Sequence, residues 1–154
     1  MSVIGIDIGG TNIRIGHDCN GKLKDFVKIS TKENLKEGKI VECLANIIKK
    51  YIGEYCKDEE IQQIAIGIPA TLSADRKEIL QVPNIKGMNN IRLGEELEKV
   101  LGIKVALERD VHMLYFWDKY EQKIADDGIG NFFVSKVFRK FAIWSQAHVF
   151  VSDR

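Results

Sequence analysis

Apolar and polar positions alternate over the opening 30 residues of the chain. A β-branched run at residues 3–6 ends at Asp7, and the alternation returns at residues 13–15. Turn-forming residues at 18–21 then precede a third extended segment over 23–29. The pattern predicts three strands in an antiparallel meander, the first two being joined by a glycine turn.

The spacing of apolar residues changes after Thr31. Apolar residues now recur every three to four positions, which predicts a long amphipathic helix over residues 40–52. Residues 64–68 form an unbroken apolar run stopped by Pro69, which is typical of a strand buried on both faces. Residues 77–82 predict a further short strand.

Two more helices and a strand are expected beyond this point. Asn89 or Asn90 is expected to cap a helix that Gly102 ends, and residues 105–107 predict the next strand. Residues 111–124 predict a third helix. The resulting order, βββαβ(β)αβα, indicates an α/β fold.

The composition fits a single compact unit. The chain has 154 residues, of which 45% are hydrophobic, which is enough apolar material for one core. A formal net charge of +1 gives no overall field toward nucleic acid or an anionic membrane, so we expect neither as a partner. No window approaches the roughly 18 uncharged apolar residues of a membrane span.

Cysteine usage and the N-terminus predict a cytoplasmic protein. The three cysteines are an odd number without CxxC spacing, so we expect neither a disulfide framework nor a four-cysteine zinc site. The N-terminus lacks the basic segment of a secretory signal. No linker interrupts residues 1–125, which we expect to form one domain, whereas the aromatic and basic tail at 126–154 shows no clear period and receives no assignment.

The first candidate site is the turn carrying Asp7, Gly9, Gly10, Thr11 and Asn12. Glycines let a backbone turn tightly and present successive N–H groups to an anion, while a carboxylate at a strand end can hold a hydrated Mg²⁺. The alternative is an ordinary hairpin whose glycines only satisfy positive φ. The turn is neither a Walker loop nor a Rossmann fingerprint, since it lacks GK[ST] and no helix follows it.

Two further clusters lie where predicted strands end. Asp110 follows strand 105–107 and either faces a cleft or caps the next helix; its neighbours Glu108 and Arg109 either orient a substrate or are solvated. Residues 67–70 and 83–84 place rigid turns at the end of the buried strand, which suits a pocket wall as well as an ordinary loop.

These clusters match a known family in order and spacing. The chain resembles the N-terminal lobe of the ROK sugar kinases, which are actin/hexokinase-type ATPases with a ribonuclease-H-like fold. Residues 4–12 resemble the family's first phosphate motif, 67–70 its GxPG-like loop, 82–84 its sugar-side turn and 108–112 its E-N-D-A-N segment. The resemblance implies a mixed sheet with flanking helices over residues 1–125.

The resemblance also implies an ATP-dependent hexose kinase, with ATP and Mg²⁺ as cofactors. It makes Asp110 the catalytic base and Asp7 the residue that positions Mg²⁺, with Gly9, Gly10, Thr11 and Asn12 at the ATP phosphates. The sugar ligands that it implies are Gly67, Pro69, Ala70, Asn84, Arg109 and Asp110.

Departures from the family pattern narrow this interpretation. Arg109 replaces the usual Asn, and Trp117-Asp118 follows, a combination that resembles the D-allose kinases of the family. The GTGxG loop, the HxxGExGH segment, the CxCGxxGCxE zinc site and the adenosine-binding lobe do not occur in this sequence. We therefore expect an incomplete kinase, through truncation or a frameshift, with no useful activity of its own.

Three other functions compete with the kinase. A metal-dependent nuclease of the same fold would gather Asp7, Glu108 and Asp110 around two metals, but the balanced charge counts against it. A sugar-sensing repressor would need a helix-turn-helix ahead of the first strand, where we see no room. A non-catalytic lobe that binds sugar, or forms a homodimer through its aromatic tail, remains open.

Overall fold

The computed structural model describes residues 2–19 and 22–109. Its first three strands, β1 (Ser2–Ile8), β2 (Asn12–Cys19) and β3 (Lys22–Ser30), form the expected antiparallel meander. In β2 the buried Ile13 and Ile15 alternate with half-buried polar residues, whereas β1 is buried on both faces except at Asp7.

The rest of the chain adds two parallel strands to this meander. A short helix α1 (Thr31–Asn34) leads to the long helix α2 (Ile40–Tyr55), and β4 (Ile61–Ile68) then pairs parallel with β1. The last described strand, β7 (Lys104–Arg109), pairs parallel with β4. The result is a five-stranded mixed sheet in the order β3-β2-β1-β4-β7.

The segment between β4 and β7 contains a hairpin and a helix. Strands β5 (Thr71–Leu72) and β6 (Ile79–Gln81) pair antiparallel, and α3 (Leu93–Leu101) follows them. Gly102 ends α3 with a φ of 68°, the left-handed conformation that glycine adopts without strain. The strand expected over 77–82 is therefore shorter, and β5 was not predicted.

The core lies between the sheet and the helices. The apolar stripe of α2 buries five side chains, while α3 buries Leu93 and Leu97 and packs on α2 and β7. The α2 members are Ile40, Leu44, Ala45, Ile48 and Tyr51. Strand β4 is buried from Ile64 to Ile68, as its unbroken apolar run predicted.

The expected cap of α3 is wrong. The helix begins after Arg92, and no side chain caps it. Asn89 instead accepts a hydrogen bond from the Val82 N–H at 2.8 Å, and Asn90 adopts a φ of 55°. Both asparagines shape the loop before the helix, a use of Asn that competes with capping.

Several expectations fall on residues that lie outside the described ranges. They are Asp110, the helix expected over 111–124 and the tail at 126–154. Within residues 2–19 and 22–109, no helix is both long enough and apolar enough to cross a membrane.

Candidate functional site

The predicted site residues converge on one edge of the sheet. Strands β1, β4 and β7 are parallel, so their carboxyl ends lie at the same edge, where open α/β sheets bind ligands. Asp7 pairs in register with Gly67, which pairs in register with Glu108. Residues in register share a face, so the carboxylates of Asp7 and Glu108 flank a position that has no side chain.

Asp7 is paired with an arginine on the neighbouring strand. The Arg14 Nη1 lies 2.7 Å from Asp7 Oδ2, and the exposed fractions of the two side chains are 24% and 16%. The pair joins β1 to β2 at positions that lie in register. Arg14 was not singled out in the sequence, although its place opposite Asp7 follows from the meander.

A single carboxylate fits what Mg²⁺ takes from a kinase site, because the ion keeps several waters and binds substrate phosphates. Asp7 lies at a strand end beside a glycine turn, in keeping with this use. Among the described residues, no group of three or more His, Cys, Asp or Glu side chains has the arrangement of a metal site. Asp7 could contribute one carboxylate to a Mg²⁺ ion at this edge of the sheet.

The glycine turn between β1 and β2 is closed by its own backbone. The Gly9 N–H donates to the Asn12 carbonyl at 2.9 Å, and a Cβ at Gly9 would lie 3.2 Å from that oxygen. The Gly9 N–H is thus committed to closing the turn. Neither Gly9 nor Gly10 is among the positive-φ glycines, so positive φ does not explain why these two residues are glycines.

Residues from α1 brace the same turn. Thr31 Oγ1 donates to the Gly9 carbonyl at 2.7 Å, and the Thr31 N–H donates to the Thr11 carbonyl at 2.9 Å. Thr31 is buried. The loop is therefore tied to the start of a helix, which reduces the entropy that it would lose on binding a ligand.

The glycine turn meets the turn that contains Pro83 and Asn84. A Cβ at Gly10 would lie 3.0 Å from Asn84 Cβ and 3.7 Å from the Asn84 carbonyl oxygen. A side chain at position 10 would need Asn84 to shift by a few tenths of an ångström, and Gly10 avoids this crowding. Two clusters separated by more than 70 residues in the sequence are thus brought together.

The turn after β4 begins at the same edge of the sheet as the end of β1. Gly67 and Ala70 are buried and Pro69 is half-buried. The Ala70 N–H donates to the Ile68 carbonyl at 2.9 Å, which makes a tight turn directly at the strand end. The segment has the rigidity that a pocket wall needs.

Glu108 and Arg109 differ sharply in exposure. Glu108 is buried and pairs with Arg76, and its Oε1 also accepts a hydrogen bond from the Arg109 N–H at 3.0 Å. Arg109 is exposed at the sheet edge. Of the two alternatives for these residues, solvation is therefore wrong for Glu108, whose buried carboxylate is paired with Arg76.

These ion pairs also bear on the nuclease alternative. Of its three proposed metal ligands, Asp7 binds Arg14 and Glu108 binds Arg76. Asp110 lies outside the described residues. Because Glu108 is buried and its charge is already paired with Arg76, it is poorly placed to be a ligand of a two-metal site, which counts against the nuclease.

A network of charges fixes the β5–β6 turn against α3. Arg92 donates to both carboxylate oxygens of Glu95 at 2.8 Å and to Asp75 at 3.3 Å. The hydrogen bonds from Arg92 lower the pKa of Glu95 to about 2, and the hydrogen bond from Ser73 lowers the pKa of Asp75. The turn that carries Arg76 is therefore held in place.

Comparison with known proteins places these features in a family. The model of the ROK family matches residues 3–132. A glucokinase from Thermotoga maritima is 30% identical over 122 residues, which are 78% of this chain and 37% of that protein. The chain thus spans well under half of this relative's length.

Solved structures give the same result for the fold. A ROK hexokinase from Thermus thermophilus superposes with a TM-score of 0.65 at 28% identity, over 78% of this chain and 39% of its own. A ROK family glucokinase from Streptomyces griseus, solved with glucose and AMPPNP, superposes at 0.63 with 22% identity, over 77% and 36%. The actin/hexokinase-type fold and mixed sheet expected from the sequence are confirmed. The family model covers most of the chain, and the glycine turn lies within the matched residues. The protein therefore belongs to the ROK family.

Proposed function

We propose that this chain is the N-terminal lobe of an ATP-dependent hexose kinase. The observation that carries the proposal is the meeting of a glycine turn, a sugar-side turn and the ends of three parallel strands at one edge of the sheet. Binding phosphate and sugar next to each other is what transfer of a phosphoryl group requires, since catalysis of this reaction depends on positioning and electrostatics.

The glycine turn is assigned to the ATP phosphates. Residues 10–12 would provide backbone and side-chain donors, with Gly9 closing the turn behind them. Asp7 would hold Mg²⁺, which neutralises charge on the phosphate oxygens when bound. Arg14 orients the Asp7 carboxylate by a direct ion pair.

The sugar side is assigned to Asn84, Arg109 and the turn from Gly67 to Ala70. Asp110, which follows Arg109 directly, would accept the proton of the terminal sugar hydroxyl as that oxygen attacks the γ-phosphorus. The product would be a hexose 6-phosphate.

D-Allose is the proposed hexose. It differs from glucose by one axial hydroxyl, and Arg109 stands where the resembling family carries Asn. A guanidinium offers five donors in a rigid fork, so the change moves the available hydrogen bonds and suits a different hydroxyl orientation. The Thermotoga maritima relative is named for glucose, so the substrate is open to a direct comparison.

The experiment uses the protein translated from the whole encoding gene, including the coding sequence that follows codon 127. Its activity is compared with D-allose, D-glucose, D-mannose and N-acetylmannosamine as substrates. We expect D-allose to give the highest kcat/KM, and Arg109→Asn to shift the preference toward D-glucose. A parent enzyme that prefers glucose or N-acetylmannosamine would contradict the allose assignment while leaving the kinase intact. No phosphoryl transfer to any hexose would overturn the kinase and favour the non-catalytic lobe.

A further inference from the structure

The turn between β5 and β6 reaches the end of β7 through one ion pair. Arg76 donates from Nη1 to Glu108 Oε2. The Arg76 side chain is 51% exposed, whereas that of Glu108 is 3% exposed. The arginine therefore covers a carboxylate that the rest of the fold has withdrawn from water.

The second oxygen of the same carboxylate holds the backbone. Glu108 Oε1 accepts from the Arg109 N–H at 3.0 Å. One carboxylate thus joins a side chain of the hairpin to the main chain at the last residue of β7. A buried carboxylate that loses its cation has to turn toward water or take up a proton, and either change weakens its hold on that N–H.

Arg76 is presented by a turn that is itself constrained. Its φ is 55°, an uncommon conformation for a residue with a side chain, and its N–H donates to the Ser73 carbonyl at 2.9 Å. Asp75 accepts from the Lys77 N–H at 3.2 Å within the same turn. The turn therefore accepts a backbone cost at the position from which Arg76 reaches Glu108.

We infer that Arg76 is a positioning residue for the sugar side of the site: by holding the Glu108 carboxylate, it fixes the Arg109 N–H and the strand end that leads into Asp110. The link to sugar binding rests on the proposed function. The link from Arg76 through Glu108 to the Arg109 amide rests on the contacts alone.

The experiment measures amide exchange and sugar binding in the same variants of the full chain. Arg76→Met removes the positive charge that faces Glu108, and Arg76→Lys keeps a positive charge but lacks the forked guanidinium. Lys77→Met is the control: it removes a neighbouring surface charge, whose partner Glu95 lies 3.8 Å away. Exchange of the Arg109 amide is followed by NMR, with the Ile66 amide in the middle of β4 as the internal reference.

In Arg76→Met we expect Arg109 exchange to accelerate by at least about tenfold while Ile66 exchange stays at the parent rate. Arg76→Lys should recover part of the protection, and Lys77→Met should match the parent at both amides. Equal exchange of Arg109 in parent and Arg76→Met would overturn the inference, as would an acceleration shared by Ile66, which indicates a general loss of stability.

D-Allose affinity, measured by calorimetry, separates this inference from the proposed function. We expect Arg76→Met to weaken D-allose binding by about tenfold relative to Lys77→Met. A parent that does not bind D-allose contradicts the allose assignment, but exchange of the Arg109 amide still decides the positioning role. If Arg76→Met does not fold, the double variant with Glu108→Gln removes the uncompensated charge and should fold; a double variant that also fails contradicts the pairing.

Discussion

Gly10 and Asn84 lie so close together that a Cβ at position 10 would be 3.0 Å from Asn84 Cβ. Gly10 is not among the positive-φ glycines, so the requirement for glycine here is one of space and not of backbone conformation. The contact joins the proposed phosphate turn to the proposed sugar turn, and a methyl group at Gly10 has to push them apart.

Gly10→Ala should therefore lower the free energy of unfolding by about 1–2 kcal/mol, as overpacking does, and weaken hexose binding as well. The matched control is Gly53→Ala in α2, where nothing lies within 4 Å of the added Cβ and alanine favours the helix by about 0.5–1 kcal/mol. Urea denaturation of both variants measures the difference. Two alanine variants of equal stability would show that the turns separate without cost.

Asp7→Asn should abolish Mg²⁺-dependent phosphoryl transfer in the complete enzyme while the fold remains. The amide cannot carry the charge that binds Mg²⁺, whereas the partly exposed pair with Arg14 contributes only about 1 kcal/mol to stability. Turnover is measured across a Mg²⁺ titration, and folding by circular dichroism. Arg14→Gln is the control, because it removes the same ion pair and leaves the carboxylate. Parent-like turnover in Asp7→Asn would exclude Asp7 from the metal site.

The sequence predicted the long strands of the sheet better than it predicted the short strand β5 and its pairing with β6. The alternation of apolar and polar residues predicted the three-strand meander, and the apolar run at 64–68 predicted a buried strand. Both succeed because the burial of a strand determines which of its positions are apolar. Strand β5 has two residues and leaves no such signal. Its pairing with β6 depends on a turn that is fixed by tertiary contacts.

The site shows the same division. The positions of Asp7, the glycine turn and residues 67–70 at one edge follow from parallel strands that end together. The pairing of Arg76 with Glu108 crosses 32 positions of sequence, and nothing in the spacing of either residue indicates it. Such a contact depends on the position of the β5–β6 turn relative to β7, which is set by tertiary packing.

Tyr51→Phe should destabilise the chain by about 1–3 kcal/mol, because it leaves two groups without their partner. The buried Tyr51 hydroxyl donates to the Asp25 carbonyl at 2.8 Å, which leaves His17 Nδ1, at 2.9 Å, to donate to it. Tyr55→Phe is the control, since Tyr55 is 37% exposed on the same helix and its loss should stay within about 0.5 kcal/mol. Thermal denaturation of the two variants compares them directly.

The same tyrosine predicts a pH dependence. Burial raises the pKa of Tyr51 above its ordinary value. The unfolded chain then loses the phenol proton before the folded chain does, so the contribution of Tyr51 to stability is constant below about pH 10 and is lost as the pH rises above it. Tyr51→Phe should show a shallower fall over that range than Tyr55→Phe. Parallel stability curves above pH 10 would contradict the buried hydrogen bond.

Asp110→Asn tests whether the residue after β7 is a base or a helix cap. An asparagine cap keeps its hydrogen bond to the first-turn N–H groups, so the substitution should change stability by well under about 1 kcal/mol. A general base replaced by Asn loses its proton acceptor, and kcat of the complete enzyme should fall by about 10² to 10⁴-fold with sugar binding largely retained. Thermal denaturation, calorimetry with D-allose and single-turnover kinetics on one preparation measure all three. If Asp110→Asn melts, binds D-allose and turns over like the parent, Asp110 is not the base. The residues in register at the sheet edge, Asp7, Gly67 and Glu108, would then position substrates for a proton acceptor outside this lobe.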